Sequence, residues 1–273
     1  MNPIDLCKEI AAPLGSFNYY ALKSIPKNKY NAVISVLALC EELNKALIAS
    51  SDFNLVQIKL NWWRADIIKI PRGLAEHPIN IAIQEELKLN PDVIDINDLD
   101  EIVDGYLQIL ASPIFATFED YVVSVMRTTG LREIVIFKIL YPNSEIDAEL
   151  IYKFALVLEI SYYLQNLRPF ISKGLMFIPE DELNQDNLKL EDFQKFSTTD
   201  EIKKLLELFA EKAFLSYENA INESKAIDQY NFIKIRSKLA FHLLTAIKKN
   251  KYRVLEKSIV LTPLKIWWEY IKG

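Results

Sequence analysis

Apolar residues recur at helical spacing along most of this chain, and no segment alternates with period two for long. Tyr30, Val33, Ile34, Val36, Leu37 and Cys40 make a stripe wide enough for a helix buried on most sides. Ile58, Trp62, Ala65 and Ile68 continue the pattern until Pro71-Arg72-Gly73 stops it. Pro78 opens a helix that Asn90-Pro91 closes. Asn97-Asp98, with Glu101 three residues on, reads as the cap of the next helix, which yields at Ser112-Pro113. Thr117 caps a further one. Helices are then expected over 148–168, 200–222, 228–249 and 263–271, with 184–199 the most loop-like and mobile stretch. The expectation is an all-α chain forming a single domain over 1–273, without repeats.

With 51% hydrophobic residues the chain has enough apolar surface for one large core. A net charge of −5 argues against a nucleic-acid partner. Only 6 glycines in 273 residues disfavour glycine-rich phosphate loops. Cys7 and Cys40 have no metal-ligand spacing, and Cys40 sits in an apolar run as a small core residue. No apolar run is long enough to span a bilayer, and acids enter as early as Asp5 and Glu9. These features lead to the expectation of a soluble cytoplasmic protein, free or resting peripherally on an inner membrane.

The stretch 157–183 is the most informative. Leu158, Tyr162, Gln165 and Arg168 share one helical face, which carries an amide and a guanidinium inward. A break is expected at Pro169, then a turn at Lys173-Gly174 and an apolar run into Pro179.

These residues resemble a signature of the squalene and phytoene synthase family. Further matches run through the chain in the same order. Phe17-x-x-Tyr20 before Pro26 is similar to the family's N-terminal aromatic pattern. Leu39-Cys40-Glu41-Glu42-Leu43-Asn44-Lys45 resembles its first signature, Phe-Cys-Arg-x-x-Asp-Asp. Leu60-Asn61-Trp62-Trp63-Arg64 resembles its Trp-Trp-Arg helix, and Gly73 with His77-Pro78 the pattern that follows. Asp104-Gly105, 115–121 and 251–262 extend the match. The resemblance implies an isoprenoid synthase-type helical bundle around a central cavity.

The family's reaction joins two allylic diphosphates head to head. Its leaving group is neutralised by Mg²⁺ ions held on two Asp-rich motifs. Here the first-motif acids align with Asn44, Lys45 and Ile48, and the family's Arg with Glu41. In the second motif the family's Asn-x-x-Arg-Asp becomes Gln165-x-x-Arg168-Pro169, and three residues are missing before Gly174, so its later acids have no counterpart. Met126-Arg127 replaces a small Ala-Gly pair, Gly130 is kept, and Tyr162 replaces a Gln. The departures imply less acid, less room and more fixed positive charge.

The candidate cavity residues are therefore Tyr20, Asn44, Lys45, Arg64, Arg127, Tyr162, Gln165 and Arg168, with no catalytic and no metal-ligating residue assigned. Lys45, Arg64, Arg127 and Arg168 either converge on an anion or pair with local acids, Lys45 with Glu41 and Arg64 or Arg127 with Asp104. His77 reads as a capping residue and His242 as a core histidine. Trp267-Trp268, beside Lys265 and Lys272, is either a core anchor or a membrane contact.

Taken together, the resemblance implies a non-catalytic family member without cofactor. It would be akin to the family's mitochondrial complex I assembly factor, with a protein partner at the membrane and a prenyl lipid or diphosphate in its cavity. An active prenyl transferase using Mg²⁺, and a prenyl-lipid carrier, stand as the alternatives.

Overall fold

A computed structural model describes residues 2–225 and 228–272. Helices dominate, and the one β-type contact among the described residues is an isolated bridge between Ile114 and Met176. The chain enters through α1 (Pro3–Ala11) and the short α2 (Phe17–Ala21). The long α3 (Tyr30–Leu47) follows, then α4 (Phe53–Ile67), α5 (Pro78–Leu89) and α6 (Ile96–Ala111). α7 (Phe118–Val125) passes through a π turn at Met126–Gly130 into α8 (Leu131–Leu140). α9 (Ala148–Gln165), α10 (Leu167–Ser172), α11 (Glu180–Gln185) and α12 (Leu190–Phe193) lead to α13 (Asp200–Glu223), α14 (Asn231–Lys249) and α15 (Pro263–Ile271).

The wide stripe of α3 becomes burial on nearly every side, from Ala32 through Cys40 and again at Leu43 and Leu47. α9 is the second such helix, packed between α13 and α14. Apolar side chains from α1 to α15 join one core cluster, and a smaller cluster gathers Ile134, Phe137, Phe154 and Tyr230. No described helix is long and apolar enough to cross a membrane.

Local chemistry sets most boundaries as the sequence suggests. Thr117 and Asp120 exchange hydrogen bonds of 3.0 and 3.2 Å in a capping box. His77 caps α5 through Nδ1, which accepts from the Ile79 N–H at 3.2 Å. Three expectations shift. α6 starts earlier, on Asp95 rather than Asn97-Asp98, because the Asp95 carboxylate accepts from the Asn97 N–H at 2.9 Å. α9 ends at Gln165, so the break precedes Pro169, which lies in the first turn of α10 where its missing N–H costs nothing. Residues 184–199 include α12, whose Phe193 is fully buried.

The segment after α10 turns at Gly174, φ +79°, and buries Leu175, Met176, Phe177 and Ile178 in succession. Tyr163 of α9 stacks on Phe177 with ring centroids 5.0 Å apart, and its hydroxyl accepts from the Phe177 N–H at 3.0 Å. That pairing holds an extended, buried backbone against α9.

Candidate functional site

A cavity of about 390 Å³ lies between α1, α2, α3, α9 and α14, closed on one side by α15. Its outer wall is apolar, including Ile10, Phe17, Leu243, Leu261 and Ile266. Exposed Pro13 and Val260 mark the mouth. The inner wall is polar: Glu41 and Asn44 from α3, Arg132 from α8, Glu159, Tyr162 and Gln165 from α9, and Arg236 from α14.

Each inner residue is held by its neighbours. Asn44 Oδ1 accepts from the Tyr106 hydroxyl of α6 at 2.8 Å. The π turn aims Thr129 at α9, where its hydroxyl donates to Glu159 Oε2 at 2.5 Å. Arg132 Nε donates to Glu133 Oε1 at 2.7 Å, and Arg236 Nη1 to both Glu133 oxygens at 2.6 Å. Burial opposes ionisation of Glu133, but the Arg236 and Arg132 charges outweigh it and keep the carboxyl below its usual range. Glu41 and Glu159 differ. Burial pushes both up, and Arg132 offsets it only in part. Two guanidinium charges thus face one firmly ionised carboxylate and two reluctant ones.

Of the candidate residues, Asn44, Tyr162 and Gln165 line this cavity. Tyr20 is buried beside it, against Tyr270 at 5.3 Å between ring centroids. The four cations do not converge. Lys45 is half exposed and pairs with Glu42 at 2.8 Å, not with Glu41, which turns inward. Arg64 bonds Asp100 at 2.7 Å and Asp104 at 3.1 Å. Arg127 bonds Glu101, and Asp104 at 2.8 Å, away from the cavity. Arg168 is carried off the α9 face by the helix break and stacks over Phe196 at 4.6 Å. The space at Gly130 is filled by Tyr152, since a Cβ there would meet the ring at 2.7 Å. It is therefore a packing contact, not room for a ligand.

The charged side chains that line the cavity are instead Glu41, Glu159, Arg132 and Arg236. Spacing alone did not reveal these four or Glu133. Arg132, Glu133 and Glu159 carry a signal, charges inside a largely apolar helical run, but Arg236 and Glu41 have polar neighbours and carry none. His242 is likewise half-buried, with Nε2 3.2 Å from Glu269 Oε2.

The Trp-Trp-Arg and His-Pro segments pack on each other. Trp63 packs on His77 at 4.4 Å. The Asp66 carboxylate gathers the N–H groups of Glu76 and His77 and the Asn80 amide at 2.8–3.0 Å.

Mg²⁺ demands hard oxygen ligands and near-octahedral geometry. Among the described residues no group of three or more His, Cys, Asp or Glu side chains is arranged to hold a metal ion. The inner wall offers two amides and two carboxylates, one already bonded to Thr129, with Arg132 beside them. This donor set does not fit a Mg²⁺ cluster that neutralises a diphosphate.

The family model for squalene/phytoene synthase matches residues 15–265. Phytoene synthase 1 of Arabidopsis thaliana is 22% identical over 223 residues, covering 79% of this chain and 52% of that protein. Phytoene synthase of Narcissus pseudonarcissus is 21% identical over 270 residues, covering 96% and 63%. The chain thus spans between half and two thirds of the length of these relatives. Among solved structures, a dehydrosqualene synthase in complex with ligand superposes with a TM-score of 0.79 at 14% identity, covering 99% of this chain and 94% of that one. A squalene synthase from Alicyclobacillus acidocaldarius gives 0.70 at 16%, covering 92% and 94%. These likenesses show the isoprenoid synthase-type helical bundle. With its family match across nearly the whole sequence, the chain belongs to the squalene/phytoene synthase family.

Proposed function

We propose that this chain is a non-catalytic member of its family. It serves as an accessory or assembly factor for the respiratory NADH dehydrogenase, complex I, through protein partners at the periphery of the inner membrane. The observation that carries the non-catalytic part is the inner wall of the cavity. Asn44 lines it where the family's first motif has an acid, Gln165 where the second has an Asn, and Arg132 and Arg236 are bound to Glu133. A diphosphate placed there would meet two arginines already committed to Glu133 and two carboxyls, Glu41 and Glu159, that burial makes reluctant to ionise. The cavity volume also lies near the low end for a single ligand, roughly 300–1,000 Å³. A head-to-head condensation has to house two. One prenyl lipid, its tail against the apolar outer wall, suits the space better. The complex I role draws its support from the resemblance to the family's assembly factor.

Purified protein incubated with labelled farnesyl or geranylgeranyl diphosphate and Mg²⁺ should release no pyrophosphate and form no hydrocarbon. Product at ordinary enzyme rates would establish the active transferase instead. Deleting the gene should lower NADH-dependent respiration, and the tagged protein should bring down dehydrogenase subunits. Normal respiration in the deletion strain would count against the assembly role.

A further inference from the structure

The outward side of α15 is apolar where solvent-facing helices are polar. Leu264, Trp267, Trp268 and Ile271 are 73, 44, 50 and 48% exposed, and their spacing puts them on one face. The opposite side is anchored by buried Ile266 and by Tyr270 against Tyr20. The apolar surface extends past the helix to Leu14 and Val260, 83 and 60% exposed. Gly15 backs onto Pro263, so closely that a Cβ would lie 3.1 Å from the proline's own. The turn at the cavity mouth and the start of α15 thus form one surface.

Lysines stand beside this helix, although the whole chain carries −5. Lys272 Nζ lies 5.0 Å from the Trp268 ring, and Lys23 Nζ 4.5 Å from the Tyr19 ring and 5.0 Å from that of Tyr20. Lys238, Lys265 and Lys272 all lie within electrostatic reach of His242. The acid of α15, Glu269, is turned inward onto His242.

We propose that α15 docks on an anionic phospholipid bilayer, its two tryptophans and two aliphatic side chains entering the headgroup boundary and its lysines meeting lipid phosphates. Tryptophan beside lysine on a short amphipathic helix is the chemistry of that interface. The position of the cavity mouth favours a bilayer over a protein partner. Apolar Val260 belongs both to the cavity lining and to the exposed surface, so an apolar ligand would pass between cavity and membrane without crossing water. The docking face deepens the membrane-peripheral part of the function proposed above and rests on it.

The test is co-sedimentation of the full chain with phosphatidylcholine vesicles, with and without phosphatidylglycerol. The protein should pellet with the anionic vesicles and be released by salt. Trp267→Ser with Trp268→Ser should lower that partition about tenfold or more. Lys265→Glu with Lys272→Glu should lower it on anionic vesicles only. Unchanged circular dichroism and melting would show that the variants fold. Brominated acyl chains should quench tryptophan fluorescence in the native chain and not in the double-serine variant. Native protein that stays in the supernatant, or partition indifferent to the serine substitutions, would overturn the docking face. Turnover and respiration do not enter this measurement. A chain that docks and also condenses farnesyl diphosphate contradicts only the non-catalytic reading.

Discussion

Arg236 Nη1 sits 2.6 Å from each carboxylate oxygen of Glu133, with both side chains almost wholly buried. Arg132 completes the group from the adjacent position on α8. Taking three ions out of water is costly, and their mutual bonds offset that cost only while the set is complete. Glu133→Gln would leave two buried guanidinium charges without their carboxylate. It should cost about 3–5 kcal/mol in stability at neutral pH. Urea denaturation of the two proteins checks this, and a loss under about 1 kcal/mol would mean that the group contributes little.

Glu159 should behave in the opposite way. Burial raises its pKa above the ordinary 4.5, so the folded state holds a proton that the unfolded chain gives up first. Folding stability therefore falls as pH rises above about 4.5, until the folded carboxyl is itself ionised. Glu159→Gln can still accept from Thr129 but has no charge to bury. Its melting temperature should match the native protein's near pH 4.5 and exceed it increasingly toward neutrality. A gap that stays flat with pH would show that Glu159 is ionised as easily as in solvent.

Gly105 allows α6 to touch the π turn. A Cβ there would lie 2.9 Å from the Arg127 carbonyl oxygen and 3.0 Å from Thr128 Cγ2. The nearest atom is backbone, which cannot swing aside. Gly105→Ala gains about 1 kcal/mol of helix propensity, yet overpacking of about 1–3 kcal/mol should outweigh it. Arg127→Ala, by contrast, removes partly exposed ion pairs to Glu101 and Asp104 and should cost about 1 kcal/mol or less. Chemical denaturation of both variants checks the ranking. Equal losses would mean that the Arg127 ion pairs hold the turn as much as the close backbone approach does.

The helices were legible in the sequence because their periodicity, prolines and capping residues are local signals. Pro78, Thr117 and Pro263 mark starts that the structure keeps. The cavity was legible only in part. Asn44, Tyr162 and Gln165 reach it because α3 and α9 are regular there, whereas Arg168 does not, because α9 stops three residues earlier. The destinations of Lys45, Arg64 and Arg127 depended on which acids neighbouring helices would offer. Glu41, Arg132, Glu159 and Arg236 come from four helices, and no spacing within one segment relates them. Glu159 did carry a local mark, a charge amid apolar neighbours, whereas Arg236 lies between Lys234 and Lys238 and Glu41 beside Glu42, so their sequence surroundings do not set them apart.

The electrostatics of the inner wall can be measured without relying on turnover. Calorimetric titration of the protein with a non-hydrolysable farnesyl thiodiphosphate, with and without Mg²⁺, asks whether the cavity can assemble a metal–diphosphate cluster. With Asn44 and Pro169 in the places of acids and burial holding Glu41 and Glu159 back from ionising, Mg²⁺ should give no gain in affinity. Tight binding that appears only with Mg²⁺, and is lost in Glu41→Gln or Glu159→Gln, would contradict this account.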